Sequence, residues 1–250
     1  GVTEADCWLL ALPDFHVGGL GVYARCHVSS CSLVELEGRW HAEAYHALAI
    51  EQAVSLSALV PTQLVDLVNL GKRSPSTLRG LIVGGGRLED TIYQKAVSLG
   101  WPIIETYGMT ETCSQVATAQ LGGRGLKVLQ PWRAKLADDG ALMLMGQPMM
   151  TGYILGSNEQ YQLIKHEGWL KTSDLVELED GELKVLGRSD RCVKILGELV
   201  NLAEVENSVI QCGEELGLCL KSFAIVAIPH HRSEHEMVAC CEQLEAELLG

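Results

Sequence analysis

Positive charge is scarce in this sequence, and a long apolar run is missing. The 250 residues carry 19 Lys and Arg against 32 Asp and Glu, which gives a formal net charge of −13. Because such a surface repels phosphate backbones, the composition argues against nucleic-acid binding. No apolar run reaches the roughly 18 residues that span a bilayer, so we expect no transmembrane helix.

Paired cysteine motifs are also missing. The nine cysteines are odd in number and none form a C-x-x-C pair, so neither a disulfide framework nor a zinc site is predicted. Reduced thiols in a cytoplasmic protein are the simplest interpretation. The opening segment Gly1–Asp6 is acidic, unlike the basic start of a secretory signal, and it leads directly into an apolar strand. We therefore expect the natural protein to begin further upstream.

What the sequence does have is a high apolar content and a regular alternation of elements. Hydrophobic residues make up 47% of the chain, enough for a substantial buried core. Up to Tyr107, strand-like and helix-like segments alternate, which indicates an α/β fold with a largely parallel sheet. Strands are predicted at 8–12, 31–35, 57–60, 80–83 and 103–107, and helices at 19–28, 41–51, 88–99 and from Pro61 towards Gly71.

The pattern changes after about Leu121. Short apolar segments at 141–145, 175–178 and 183–186 are typical of antiparallel strands, and an Asp-Gly turn joins the last two. Beyond Asp190 the sequence predicts a strand, a helix and two further strands, at 192–196, 202–210, 222–228 and 237–241. We therefore divide the chain into a domain at 1–189 and the start of a smaller α+β domain at 190–250.

The segment Thr106–Glu111 is the first candidate site. A strand is predicted to end at Tyr107, Gly108 permits a tight turn, and a helix is predicted to begin near Thr110. A ring at a strand end can stack on a purine, the amides and hydroxyl after it can meet phosphate, and the carboxylate can hold Mg²⁺. The structural alternative is that Thr110 caps the helix and Glu111 favours its positive end.

Two further turns follow predicted strands. The run Gly84-Gly85-Gly86 comes directly after the strand at 80–83, and glycine lets a ligand approach the backbone closely. A merely flexible turn is the alternative interpretation. His16 follows the strand at 8–12 and can line a pocket or bind an anionic group, whereas the alternative is a satisfied structural histidine.

A carboxylate further along the chain is the last candidate. Asp174 ends the segment Gly168–Asp174, and a carboxylate can accept hydrogen bonds from both hydroxyls of a ribose. The alternative is an ordinary loop aspartate. Arg188 follows in the segment Gly187–Arg191.

Taken in order, these segments resemble the signature blocks of the adenylate-forming superfamily of acyl-CoA synthetases, luciferases and peptide-synthetase adenylation domains. The matching blocks are 12–19, 84–86, 107–111, 140–153, 168–174 and 187–191. The phrase Ser57–Leu64 and the compact spacing look most like the o-succinylbenzoate–CoA ligase branch of menaquinone biosynthesis. The resemblance implies the central part of a large AMP-binding domain, a mixed and partly parallel sheet with helices and antiparallel strands, followed by the start of a small C-terminal domain.

The resemblance also implies roles for the matching residues. Nucleotide-binding roles fall on Gly84, Gly85, Gly86, Tyr107, Gly108, Met109, Asp174 and Arg188. Of these, Tyr107 would stack on the adenine and Asp174 would bind the ribose.

Catalytic roles fall on three residues under the same resemblance. Thr110 would contact the α-phosphate, Glu111 would help to hold Mg²⁺, and His16 would border the acyl pocket together with Gly108. Asp190 matches the hinge between the large and small domains.

The implied activity is that of an AMP-forming acid–thiol ligase that uses ATP, Mg²⁺, CoA and a small carboxylic acid. The Ser/Thr/Gly-rich phosphate loop ending in lysine and the C-terminal adenylation lysine of the family are not found in these residues. We therefore expect the chain to be a fragment that is inactive by itself. The alternatives are another acyl- or aryl-CoA ligase, an adenylation domain, or a non-catalytic remnant of the fold. The sequence leaves a homo-oligomer open.

Overall fold

The computed structural model describes residues 1–155, 160–163, 165–195, 198–216, 223–230 and 234–241. The chain divides into two compact units. The first comprises Gly1–Ala134, Met145–Gly168 and Glu179–Leu183, and the second comprises Lys135–Leu144, Trp169–Leu178 and the described part of Lys184–Gly250. The predicted boundary at Asp190 between a large and a small domain stays a prediction.

The described residues form five helices and eighteen strands. The helices are α1 (Val17–Ser29), α2 (Ala42–Glu51), α3 (Pro61–Asn69), α4 (Asp90–Ser98) and α5 (Leu202–Glu215). The strands are β1 (Cys7–Leu10), β2 (Ser32–Glu35), β3 (Leu56–Leu59), β4 (Gly80–Val83), β5 (Ile103–Met109), β6 (Ser114–Ala119), β7 (Leu126–Val128), β8 (Arg133–Leu136), β9 (Ala141–Met145), β10 (Gly152–Leu155), β11 (Gln160–Leu163), β12 (Lys165–His166), β13 (Trp169–Glu179), β14 (Glu182–Arg188), β15 (Cys192–Ile195), β16 (Glu198–Asn201), β17 (Phe223–His230) and β18 (Glu234–Cys241).

The first unit is built on a mixed sheet with the strand order β2-β1-β3-β4-β5-β6-β7. The strands from β2 to β5 are parallel, whereas β6 and β7 are antiparallel to their neighbours. Glu182 and Leu183, at the start of β14, pair with β7. The prediction of an α/β fold with a mixed, partly parallel sheet is confirmed.

Alternating side chains of the parallel strands pack on both faces of this sheet, as the two-residue period of a strand requires. Leu9 packs with α2, α3 and α4 in one buried cluster, while its neighbours Trp8 and Leu10 pack with Val22 and Cys26 of α1 in another. Burial on both faces explains why β1, β3 and β4 are almost wholly apolar.

An ion pair with a buried carboxylate joins the chain at the amino ends of β1, β3 and β4. Arg79 donates to both carboxylate oxygens of Asp6, at 2.8 and 2.6 Å, and the Ser55 hydroxyl donates to the same carboxylate at 2.7 Å. Asp6 is only 5% exposed. The Arg79 hydrogen bonds hold the pKa of Asp6 well below its ordinary value, more than offsetting the opposing effect of burial.

The helix α3 starts as its sequence predicts. Pro61 occupies its first position, where a missing N–H costs nothing. The Gln63 side chain accepts from the backbone N–H of Val60 at 3.0 Å and donates to the carbonyl of Ala11 at 3.1 Å. This buried glutamine therefore fixes the loop after β3 to the loop after β1.

In the second unit the strands lie in the order β8-β9-β13-β14. The chain then forms the antiparallel hairpin β15–β16, the helix α5 and the antiparallel hairpin β17–β18. Glu206 of α5 accepts from the Arg191 side chain at 2.9 Å and from the Ile225 N–H at 3.2 Å, which ties the helix to segments on both sides of it. Within the described ranges, no helix is long and apolar enough to cross a membrane.

Candidate functional site

Two of the predicted motifs meet at the carboxyl ends of neighbouring parallel strands in the first unit. Gly84-Gly85-Gly86 follows β4, and β5 runs beside it with Val83 opposite Glu105. The Thr106 hydroxyl donates to the carbonyl of Val83 at 3.4 Å. Open α/β sheets bind ligands in the crevice beyond these strand ends, so the pair of motifs lies where such a ligand is expected.

Gly84 is required by this contact between the two strands. A Cβ on Gly84 would lie 2.4 Å from the Thr106 hydroxyl oxygen, closer than any stable contact. Gly85 adopts a φ of +80°, a conformation that favours glycine. The segment Gly84–Gly86, called the glycine turn below, thus has a defined conformation against β5. Its backbone is open to close approach by a ligand.

The segment after Tyr107 is a bulged strand followed by a short turn. The pairing of β5 with β6 shifts between Tyr107 and Gly108, and a Cβ on Gly108 would lie 1.8 Å from the Ser114 carbonyl oxygen. Bulges of this kind redirect side chains next to functional sites. Gly108 therefore permits the close approach of β6, and β5 continues to Met109 rather than ending at Tyr107.

The helix predicted near Thr110 is instead a single 3-10 turn, Thr110–Thr112. The Thr112 hydroxyl accepts from the Met109 N–H at 3.1 Å and lies 2.9 Å from the Met109 carbonyl oxygen. Cys113 then adopts a left-handed φ of 54°, which ends the turn. The turn does not continue into an α-helix that Thr110 could cap. The alternative that Thr110 and Glu111 only stabilise the start of a helix therefore loses its support.

Glu111 is held at both its backbone and its side chain. Its carbonyl accepts from the Met150 N–H at 2.8 Å, and its Oε1 accepts from the Tyr153 hydroxyl at 2.6 Å. No lysine or arginine among the described residues forms an ion pair with it. The Tyr153 contact raises the pKa of Tyr153, because the neutral phenol is the hydrogen-bond donor to the carboxylate.

The Glu111 carboxylate is a suitable ligand for a magnesium ion that also binds a phosphate. No group of three His, Cys, Asp or Glu side chains among the described residues could hold a metal ion, so a site made wholly of protein ligands is not offered there. Mg²⁺ usually binds one or two carboxylates and completes its shell with phosphate oxygens and water. The single partly exposed carboxylate of Glu111, on the residue after Thr110, meets that requirement.

His16 stands at the start of α1, just beyond the carboxyl end of β1. It is the residue before the first helical turn, its side chain makes no capping hydrogen bond, and its ring lies 5.1 Å from that of the exposed Phe15. In the sheet, β3 separates β1 from β4. His16 therefore shares the edge that carries the glycine turn, and its side chain has no hydrogen-bond partner within the described ranges that would explain it as a structural residue.

Asp174 and Arg188 come together in the second unit. Asp174 lies where the pairing of β13 with β9 shifts, its side chain is 10% exposed, and Arg188 donates to it at 3.3 Å. The backbone N–H of Asp174 donates to the Thr172 hydroxyl at 3.1 Å. Asp190 belongs to the 3-10 turn Ser189–Arg191 that follows β14. The ribose and hinge roles of these residues stay predictions.

Arg25 is a candidate that the sequence analysis did not identify. It lies on α1 and donates to the side chain of Gln115, which pairs with Gly108 across β5 and β6. Burial lowers the pKa of Arg25, and no carboxylate among the described residues pairs with it. Its partner lies 90 residues away, so only the fold reveals a cation beside the Tyr107–Glu111 segment.

Comparison with known proteins identifies relatives along nearly the whole chain. A 2-succinylbenzoate–CoA ligase from Bacillus pumilus (strain SAFR-032) is 30% identical over 268 aligned residues, covering 97% of this chain and 55% of the relative. The ligase of the same name from Bacillus subtilis (strain 168) is 31% identical, covering 84% of this chain and 46% of the relative. The chain therefore spans about half the length of these curated relatives.

Solved structures give the same result. The o-succinylbenzoate CoA synthetase from Bacillus subtilis, in complex with its acyl-adenylate intermediate, has a TM-score of 0.86 at 26% identity, over 100% of this chain and 54% of that one. The same enzyme with ATP and magnesium ion has a TM-score of 0.82 at 26% identity, over 100% of this chain and 55% of that one. Residues 1–155 match the family model described as AMP-binding enzyme, and the chain belongs to that family.

Proposed function

We propose that the protein is an ATP-dependent carboxylic acid–CoA ligase that works through an acyl-adenylate, with 2-succinylbenzoate as its acid in menaquinone biosynthesis. The observation that carries the proposal is the meeting of the glycine turn with the Tyr107–Glu111 segment at adjacent strand ends. The similarity to 2-succinylbenzoate–CoA ligases supports the choice of acid. We also propose a cytoplasmic location, in keeping with that biosynthetic role.

The proposed chemistry has two steps and needs no protein nucleophile. A carboxylate oxygen of the acid attacks the α-phosphorus of ATP and pyrophosphate leaves; the CoA thiol then attacks the acyl carbonyl carbon and AMP leaves. Magnesium, when bound, neutralises phosphate charge. Catalysis then rests on positioning and charge stabilisation, which suits a site composed of glycines, a hydroxyl and a carboxylate.

Each side chain has a role in this proposal. Gly84–Gly86 let the adenine lie against the backbone, Tyr107 stacks on its ring, and Met109 continues the same wall. Thr110 donates to the α-phosphate and Glu111 holds the metal ion. These assignments are supported by their common position at the carboxyl ends of β4 and β5.

The acid also needs a binding group, since 2-succinylbenzoate keeps a second carboxylate while the first is activated. We assign Arg25 to that carboxylate, because its half-buried guanidinium lies beside Gly108 and its only side-chain partner among the described residues is the neutral Gln115. Such a guanidinium is suited to bind an anion. His16 borders the same acyl pocket. The ribose is assigned to Asp174 with Arg188, and the hinge to Asp190.

A pyrophosphate-release screen tests the proposal. The protein expressed from its full reading frame is supplied with ATP, Mg²⁺, CoA and one acid at a time: 2-succinylbenzoate, benzoate, succinate or a fatty acid. We expect release with 2-succinylbenzoate to exceed that with each other acid by at least about tenfold. Benzoate and a fatty acid leave the half-buried Arg25 guanidinium without a carboxylate, and succinate lacks the aromatic ring. Preference for a fatty acid would reassign the substrate. If none of the acids produced pyrophosphate, the proposed ligase activity would be overturned.

The 250-residue chain expressed alone provides a second arm of this screen. We propose that it binds nucleotide weakly and forms no AMP above a control without enzyme, since the family's phosphate loop and adenylation lysine are not found in it. AMP formation by this chain would contradict that proposal while supporting the ligase activity.

A further inference from the structure

Tyr153, the last residue of the sequence block 140–153, forms a hydrogen bond with the candidate metal ligand Glu111. Tyr153 lies on β10, and its hydroxyl donates to Glu111 Oε1 at 2.6 Å across 42 residues of sequence. The first four residues of strand β9 in the same block, 141–144, belong to the second unit, whereas Met145 and Tyr153 belong to the first. The geometry of the Tyr153–Glu111 contact is that of a short, charge-assisted hydrogen bond.

The contact is supported by the backbone on both sides. Met150 donates its N–H to the Glu111 carbonyl oxygen at 2.8 Å, and Tyr153 pairs with Gln162 in the antiparallel hairpin β10–β11. The ring is therefore carried on a paired strand and not on an isolated loop, a placement that holds a side chain in one geometry.

The bond also selects between the two carboxylate oxygens of Glu111. Tyr153 occupies Oε1, and Glu111 makes no ion pair among the described residues, so Oε2 is the oxygen left for a cation. Side chains behind a metal ligand commonly act in this way: they orient the ligating group, and their loss costs about 10- to 100-fold in metal affinity.

We propose that Tyr153 is a positioning residue that holds the Glu111 carboxylate for the magnesium ion of the nucleotide site. The proposal rests on the proposed function, since it gives Glu111 a metal to bind. Tyr153 acts only through Glu111 and touches neither nucleotide nor acid. Because the hydroxyl is its only required part, removal of that one atom tests the proposal.

The test compares Tyr153→Phe with Tyr23→Phe in the protein expressed from its full reading frame. Tyr23 makes the same kind of bond, a phenol donating to Glu35 at 2.7 Å, away from the Tyr107–Glu111 segment. Binding of Mn²⁺ in the presence of ATP is measured by electron paramagnetic resonance of the free ion, which needs no turnover. We expect Tyr153→Phe to weaken Mn²⁺ binding about tenfold or more and Tyr23→Phe to leave it unchanged.

Two further measurements separate positioning from a structural role. The Mg²⁺ concentration for half-maximal pyrophosphate release should rise in Tyr153→Phe, with kcat largely restored at saturating Mg²⁺. In a Glu111→Gln background the Tyr153 substitution should have no further effect on Mn²⁺ binding, because the two residues act as one unit. Equal losses in both backgrounds, or an unchanged Mn²⁺ affinity, would overturn the proposal. Wild-type protein without acid-dependent pyrophosphate release would instead refute the proposed function itself.

Discussion

At the residue scale, the candidate site depends on pairs of side chains that lie far apart in the sequence. Glu111 and Tyr107 could be found from the sequence because they occupy a compact motif. The partners of the site residues could not: Tyr153 meets Glu111 across 42 residues, and Arg25 meets Gln115 across 90. Such contacts follow from strand order and pairing, which local sequence patterns do not specify.

Gly108 offers a direct test of why glycine occurs in the motif. A Cβ at this position would lie 1.8 Å from the Ser114 carbonyl oxygen, and backbone cannot move aside as a side-chain end can. We expect Gly108→Ala to lower the free energy of unfolding by at least about 2 kcal/mol, measured by urea denaturation.

Gly123→Ala is the matched control for this substitution. A Cβ on Gly123 would meet its nearest atom at 3.6 Å, an ordinary contact, so the free energy of unfolding should change by less than about 0.5 kcal/mol. If Gly108→Ala changed the free energy of unfolding as little as Gly123→Ala, it would contradict the close approach of β6 to β5 at Gly108.

At the scale of elements, the parallel half of the first sheet was predictable and the antiparallel half was not. Apolar segments separated by helices identify β1 to β5, and β4 was predicted with its observed bounds. The strands β6 to β8 were missed because their sequences are short and rich in small or charged residues. A 3-10 turn replaces the helix predicted near Thr110, and the Thr112 hydroxyl stabilises it by accepting from the Met109 N–H. Hydrogen bonds from a side chain to nearby backbone compete with helix formation.

The ion pair of Asp6 with Arg79 links elements and makes stability depend on pH. The pKa of the Asp6 carboxyl is depressed in the folded protein. The stabilisation from the ion pair is therefore fully present above the ordinary aspartate pKa of about 4 and is lost progressively as the pH falls below that value. We expect Asp6→Asn to lower the free energy of unfolding at pH 7 by about 2 kcal/mol.

The pH dependence distinguishes this pair from a simple packing contact. The difference between wild type and Asp6→Asn should shrink as the pH falls below about 4, where Asp6 takes up a proton in the unfolded state but stays ionised in the folded state. Asp14→Asn, at an exposed position of the same unit, serves as control and should change little at either pH. A difference that stayed constant with pH would contradict the assigned ion pair.

At the scale of the whole molecule, the sequence indicated the family and the fold class, and the comparisons agree with both. The acidic net charge of −13 is compatible with the proposed phosphate-bearing substrate, because local backbone donors and a metal ion can hold phosphates without a basic surface. The arrangement of sites within the first unit follows from strand order. The roles of Asp174, Arg188 and Asp190 in the second unit stay predictions.

The central claim is that a carboxylate oxygen attacks the α-phosphorus of ATP. It is tested by supplying 2-succinylbenzoate labelled with ¹⁸O in its carboxylates, together with ATP, Mg²⁺ and CoA, to the protein expressed from its full reading frame. We predict that AMP recovered from the reaction carries one ¹⁸O per turnover, because thiol attack on the acyl carbon leaves that oxygen on phosphorus. Labelled inorganic phosphate with ADP, or AMP without label, would contradict the account.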